Sequence, residues 1–226
     1  MLEGILEAWQ FVVRDPEVVV GWTLEHLWIV FIACGIAVIL GVPLGIYITG
    51  RGKEHIADAV LYLAEIMMTV PSLALFGLLM LLLGIIPGLP AIGFLPAIIA
   101  LIVYAQLPIL RNTYTAIRQV DPAMIEAGKG MGMSERQLLF KVKLPLAVPV
   151  IMAGLRTAMV MTIAIATIAA LIGSGGLGEA IWWGLRGNRM DLIIVGGVSV
   201  SILGLLTDGV MSRVERWVTP KGLKRR

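Results

Sequence analysis

The chain has 226 residues, of which 58% are hydrophobic and 15% charged, with 26 glycines, a net charge of +3 and a mean hydropathy of +0.93. Soluble domains run at about 45–50% apolar and about 25% charged, so the apolar surplus must face something other than water, and disorder is excluded with it. The net charge is too small for a nucleic-acid binder, and a single cysteine, Cys34, excludes an intrachain disulfide and a Cys/His zinc site.

Residues 3–13 (EGILEAWQFVV) read as a short interfacial helix with Ile5, Leu6, Trp9, Val12 and Val13 on one side, ended by Pro16. The acidic first 20 residues do not read as a cleaved signal peptide. About 20 apolar residues in a helix cross the hydrocarbon core, and five stretches qualify, at roughly 22–49, 56–84, 95–117, 144–172 and 192–213. Fourteen of the 18 Lys and Arg residues fall after the first span (Arg51, Lys53), between spans three and four (Arg111 to Lys143) and in the tail from Arg213 onward. Five crossings put these three segments on one side, which the positive-inside rule makes cytoplasmic, with the N-terminus outside. Trp22, Trp28, Trp182, Trp183 and Trp217 then fit two interfacial belts.

A path through the bilayer needs helices that bend where they line a cavity. Gly41, Pro43 and Gly45 interrupt the first span, Pro71 the second, Pro108 the third, and Pro149 with Gly154 the fourth. Pro71, Pro108 and Tyr104 are the candidate path or hinge residues. Charges inside the membrane demand partners. Counting about 1.5 Å per residue, Glu65, Arg156 and Asp208 lie at similar depth in the inner half. Arg156 is expected to pair with Glu65 or Asp208 as a structural lock. Tyr47, Tyr62, Tyr104, Trp182 and Trp183 are the aromatic candidates for cation–π contact, most of them better read as anchors or packing residues. Gly173, Ser174, Gly175, Gly176 and Gly178 lie at the outer side and read as a flexible gate.

The longest inner link, residues 121–151, is too ordered in composition for a linker. Asp121 and Pro122 start a helix as N-cap and first helical residue. Ser134 starts a second one with Gln137 at the capping-box position. Gly128, Gly130 and Gly132 strip side chains between them, which suits the close approach of another protein, and Glu126 offers that partner a charge.

Glu126, Ala127, Gly128, three residues, Gly132, nine residues, Val142, one residue, Leu144, Pro145 resembles the EAA motif of ABC importer permeases, with Gly128 in place of the second Ala and Val142 in place of Ile. TLEHLWIVFIACGIAVILGVPLGI (23–46), TVPSLALFGLLMLLLGI (69–85), YAQLPILRNTYTAI (104–117) and IAALIGSGGLGEAI (168–181) are similar to the permeases of the quaternary-amine, or osmoprotectant, uptake group. The resemblance implies an all-α membrane protein with the five-helix, methionine-importer-like type I permease fold in the cell (inner) membrane. It also implies a cytoplasmic ABC ATPase engaged through a coupling helix, a second permease subunit (a copy or a paralogue) and an extracytoplasmic binding protein that holds the aromatic cage. The expected cargo is glycine betaine, choline, carnitine or proline betaine. No cofactor is expected on this chain; ATP belongs to the partner ATPase, and no GxxxxGK[ST] loop occurs here. The expected organisation is an external segment 1–20, a permease domain 21–213 containing the coupling loop 118–143, and a basic cytoplasmic tail 214–226. Three rivals remain: an ABC permease for amino acids or another solute, a proton-coupled carrier using Glu65 or Asp208, and an intramembrane protease built on Ser174 with His26 or His55. The last lacks a serine and a histidine at one buried depth.

Overall fold

The computed structural model describes residues 2–219; Lys221, Lys224, Arg225 and Arg226 of the basic tail lie outside the described residues. Helix α1 (Leu2–Arg14) precedes α2 (Pro16–Tyr47), which begins on Pro16 because its fixed φ and missing N–H suit the first helical position. Then come α3 (Glu54–Thr69), α4 (Ser72–Gly84), α5 (Phe94–Arg118), α6 (Pro122–Gly130) and α7 (Glu135–Leu138). A π-turn (Leu139–Lys143) leads into α8 (Leu144–Ala169), followed by a 3-10 turn (Ala170–Ile172), α9 (Gly178–Gly187) and α10 (Met190–Val218). By length and composition, α2, α5, the run Glu135–Ile172 and α10 each suffice to cross a membrane, and the pair α3–α4 makes a fifth span if counted as one.

Helix α5 is the axis of the molecule. Its Ile98 and Leu101, Ala97 and Tyr104, Ala105 and Ile109, then Ala116 and Ile117 enter four successive buried clusters, closed by α2 and α8 and, near Phe76, by α4. Alanines recur in all four clusters, and glycines seat neighbouring helices beside them, because in lipid helices gain mainly from close packing. A Cβ on Gly41 would lie 2.7 Å from Gln106 Oε1, one on Gly45 2.8 Å from Thr113, and one on Gly154 2.5 Å from Asn112 Cβ. Gly41, Gly45 and Gly154 are therefore seats for α5. The expected interruptions of spans one, three and four do not occur: α2, α5 and α8 run on through Pro43, Pro108 and Pro149.

The second span does break. Val70 is extended (ψ 127°), Pro71 follows with ψ 133°, and α4 leaves α3 at 100°. Proline disfavours helical backbone in the residue before it, and that residue is where α3 stops. The expected interruption of the span 56–84 at Pro71 is thus present, as two helices that meet there.

Candidate functional site

The coupling-loop end is built by local chemistry. Asp121 accepts from Ala123 N (2.8 Å) and so caps α6. At the other end Met133 N donates to Gly128 O (3.1 Å) and Gly132 N to Lys129 O (2.9 Å), the paired bonds of a Schellman stop, with Gly132 at φ +76°. Gly132 is there because an L side chain is disfavoured in that backbone region. Ser134 then forms the full capping box with Gln137. Gly128 is buried and serves the inside of the loop: a Cβ there would sit 2.5 Å from Leu138, which is 0% exposed. This corrects the expectation for Gly128 alone; Gly130 and Gly132 are exposed, with nothing within 4 Å of where a Cβ would stand. The exposed surface of this loop includes Glu126, Ala127, Lys129, Gly130 and Gly132 with the side chains of Met124, Met131 and Phe140.

Val142, Leu144 and Pro145 form the root of this loop. Leu144 N reaches back five residues to Leu139 O, and Leu144 packs on the cluster of Ala116, Ile117, Ala147 and Ile151. Pro145 has no N–H to continue the ordinary ladder, which fits a widened turn at this point. The loop is also tied to its neighbours by charge, Arg51 with Glu135 at 3.6 Å and Arg118 with Glu54 at 4.0 Å.

Two of the three hinge candidates, Tyr104 and Pro71, meet at the break. Tyr104 is 4% exposed, and its hydroxyl donates to Val70 O at 2.6 Å, so α5 holds the break at Pro71. Pro108 lies one turn further along α5, where Asn112 Nδ2 donates to its carbonyl at 2.8 Å. The intramembrane charges separate into two pairs. Arg156 on α8 makes a two-pronged pair with Asp208 on α10, whereas Glu65 on α3 pairs with Arg111 on α5. Glu65 does not reach Arg156 because α3 packs on α5 and not on α8. Arg111 was missed because it was counted with the link charges, although it lies inside the third span.

The opposite end is organised by the loop 173–177. Gly93 N donates to Ile172 O (2.8 Å), which ties this loop to the α4–α5 link. Gly176 N donates to Glu25 Oε2 (3.1 Å), and Trp22 Nε1 donates to Glu179 Oε2 (3.2 Å). Gly173, Gly175 and Gly176 all have φ above +80°. A Cβ on Gly175 would lie 2.8 Å from Glu25, and one on Gly176 3.1 Å from the backbone of His26. Gly175 and Gly176 are thus a tight fit on α2. His26 is fully buried, with Nε2 3.0 Å from Ile163 O and Nδ1 without a partner, so no serine–histidine pair forms here.

Most of the aromatic candidates are already engaged. Tyr47 carries Lys53 Nζ 3.1 Å over its ring, Tyr104 is buried, and Trp182 Nε1 donates to Thr167 O (3.1 Å). Tyr62 and Trp183 stay exposed.

Residues 41–220 match the family described as "Binding-protein-dependent transport system inner membrane component". The osmoprotectant import permease protein OsmW of Salmonella typhimurium is 43% identical over 89% of this chain and 92% of its own length. The glycine betaine/carnitine/choline transport system permease protein OpuCB of Bacillus subtilis is 45% identical over 89% of each. Among solved structures, an inward-facing conformation of the MetNI methionine ABC transporter superposes with a TM-score of 0.80 at 25% identity, covering 92% of this chain and 99% of that one.

Proposed function

This chain belongs to the family of inner-membrane components of binding-protein-dependent transport systems and is a multi-pass ABC importer permease, and we propose that its cargo is a quaternary-ammonium osmoprotectant: glycine betaine, choline, carnitine or proline betaine. The observation that carries the cargo is identity of 43–45% to permeases named for osmoprotectants, for glycine betaine, carnitine and choline, and for choline, over about nine-tenths of the chain. The likeness to the methionine transporter, at 25% identity, supports the fold and not that substrate.

The chain works with an extracytoplasmic binding protein and a cytoplasmic ABC ATPase, beside a second permease subunit. ATP is held by the ATPase, and this chain holds no nucleotide. The basic links face the cytoplasm and the loop 173–177 faces outward. Closure of the ATPases moves the loop bearing Glu126 and Ala127, and the rigid root at Leu144 transmits that movement to α8 and α5.

The test is uptake of labelled glycine betaine, choline and carnitine in an uptake-deficient bacterium carrying this chain with its ATPase and binding protein. ATP-dependent accumulation is expected, abolished by Gly132→Val while the protein remains in the membrane, because a β-branched residue at φ +76° breaks the Schellman stop. Uptake that persists without the ATPase would overturn the reading in favour of a proton-coupled carrier.

A further inference from the structure

A cavity of roughly 530 Å³ opens beside the loop 173–177, within the ~300–1,000 Å³ usual for small-molecule sites. Its wall carries Trp22, Glu25 and Trp28 from α2, Phe94 from the start of α5 and Glu179 from the start of α9. No Lys or Arg lines it, and neither Glu25 nor Glu179 forms an ion pair among the described residues. Other acids of the chain, such as Asp58 and Glu126, also lack an ion pair among the described residues; Glu25 and Glu179 are set apart by lining one cavity together with three aromatic rings.

The two carboxylates are also held in place. Each spends its Oε2 on a donor from another element, Glu25 on Gly176 N and Glu179 on Trp22 Nε1. Trp22 is braced from behind by Phe11, whose ring stacks on it at 6.2 Å. Trp28 and Phe94, 65% and 42% exposed, make no ring stacking or cation–π contact among the described residues. Aromatic rings flanking fixed negative charge form the environment that attracts a cation with no N–H to donate, through the ring quadrupole and long-range Coulomb attraction.

We propose that this cavity is a receiving site for the quaternary ammonium group, and that it favours a net cation such as choline over a zwitterion whose carboxylate would face Glu25 and Glu179. The proposal rests on the quaternary-ammonium cargo argued above, and its test reads the cavity separately from transport. The permease–ATPase complex, purified without the binding protein, is examined by saturation transfer to the methyl protons of choline and of 3,3-dimethylbutan-1-ol, the neutral molecule of the same shape. Choline is expected to give the stronger transfer, and the double variant Glu25→Gln/Glu179→Gln, which keeps both acceptors, is expected to reduce it at least fivefold. Trp28→Ala is the second variant, since its exposed ring carries no hydrogen bond, and a several-fold loss is expected there too. Equal signals from choline and the neutral alcohol, or undiminished choline transfer in both variants, would overturn the site. Absence of cellular uptake of every quaternary amine, with choline transfer intact, would overturn the transport reading and leave the site standing.

Discussion

The two ends of this molecule use the same residue types to opposite effect. At the coupling-loop end, acids meet bases: Glu135 with Arg51, Glu54 with Arg118 and, deeper, Glu65 with Arg111. At the other end, Glu25 and Glu179 meet only an amide and an indole N–H. Glycines divide likewise. Gly128 and Gly132 close a self-contained helical turn, whereas Gly175 and Gly176 let a loop press on a neighbouring helix. One end is a lever stiffened by its own contacts; the other leaves two carboxylates without an arginine beside one cavity.

The largest effect that bears on this contrast comes from the pair between the ends. Asp208→Arg places two arginines together in the membrane and is expected to abolish accumulation of the protein, measured by immunoblot of membranes. Arg156→Asp combined with Asp208→Arg should restore it; no rescue would mean that the pair is not a lock.

A smaller effect, confined to the lever, is expected of Gly128→Val. Overpacking against Leu138 costs about 1–3 kcal/mol. Uptake should fall far more than membrane level, while Gly130→Ala, with open space around it, should behave as wild type in the same uptake assay. Equal loss from both would deny that Gly128 is an internal packing residue.

Tyr104→Phe removes one hydrogen bond, worth about 1 kcal/mol, and leaves Val70 O without its partner at the break. Thermal unfolding in detergent should shift down modestly, with a larger loss in transport rate than in stability. The smallest effect belongs to the exposed pair at the loop. Arg51→Ala should cost no more than about 1 kcal/mol, and the difference from wild type should vanish in high salt when unfolding is followed with ionic strength.

Much of the lever was legible because its determinants are neighbours in the chain. Asp121 with Pro122, and Ser134 with Gln137, announce their caps by spacing alone, and the structure shows both. The glycines were legible as positions and not as roles. Whether a missing Cβ serves a partner or an internal contact depends on what lies opposite, and Leu138 stands ten residues from Gly128. Arg111 is different: the apolar run 95–117 already contains it, and only its partner, Glu65 on α3, needed the tertiary structure.

Of the prolines read as interruptions only Pro71 breaks a span, whereas apolar run length and cap residues determined by themselves that this chain makes long membrane helices and carries a capped helical turn at its basic end. These are local properties, set by backbone sterics and by the need to satisfy N–H groups within a few residues. Only the tertiary structure decided that Arg156 takes Asp208 and Glu65 takes Arg111, that Gly41, Gly45 and Gly154 are seats for α5, and that Trp22, Trp28, Phe94, Glu25 and Glu179 surround one cavity. Those outcomes turn on which helix faces which across tens or more than a hundred residues, and no periodicity within one helix contains that information.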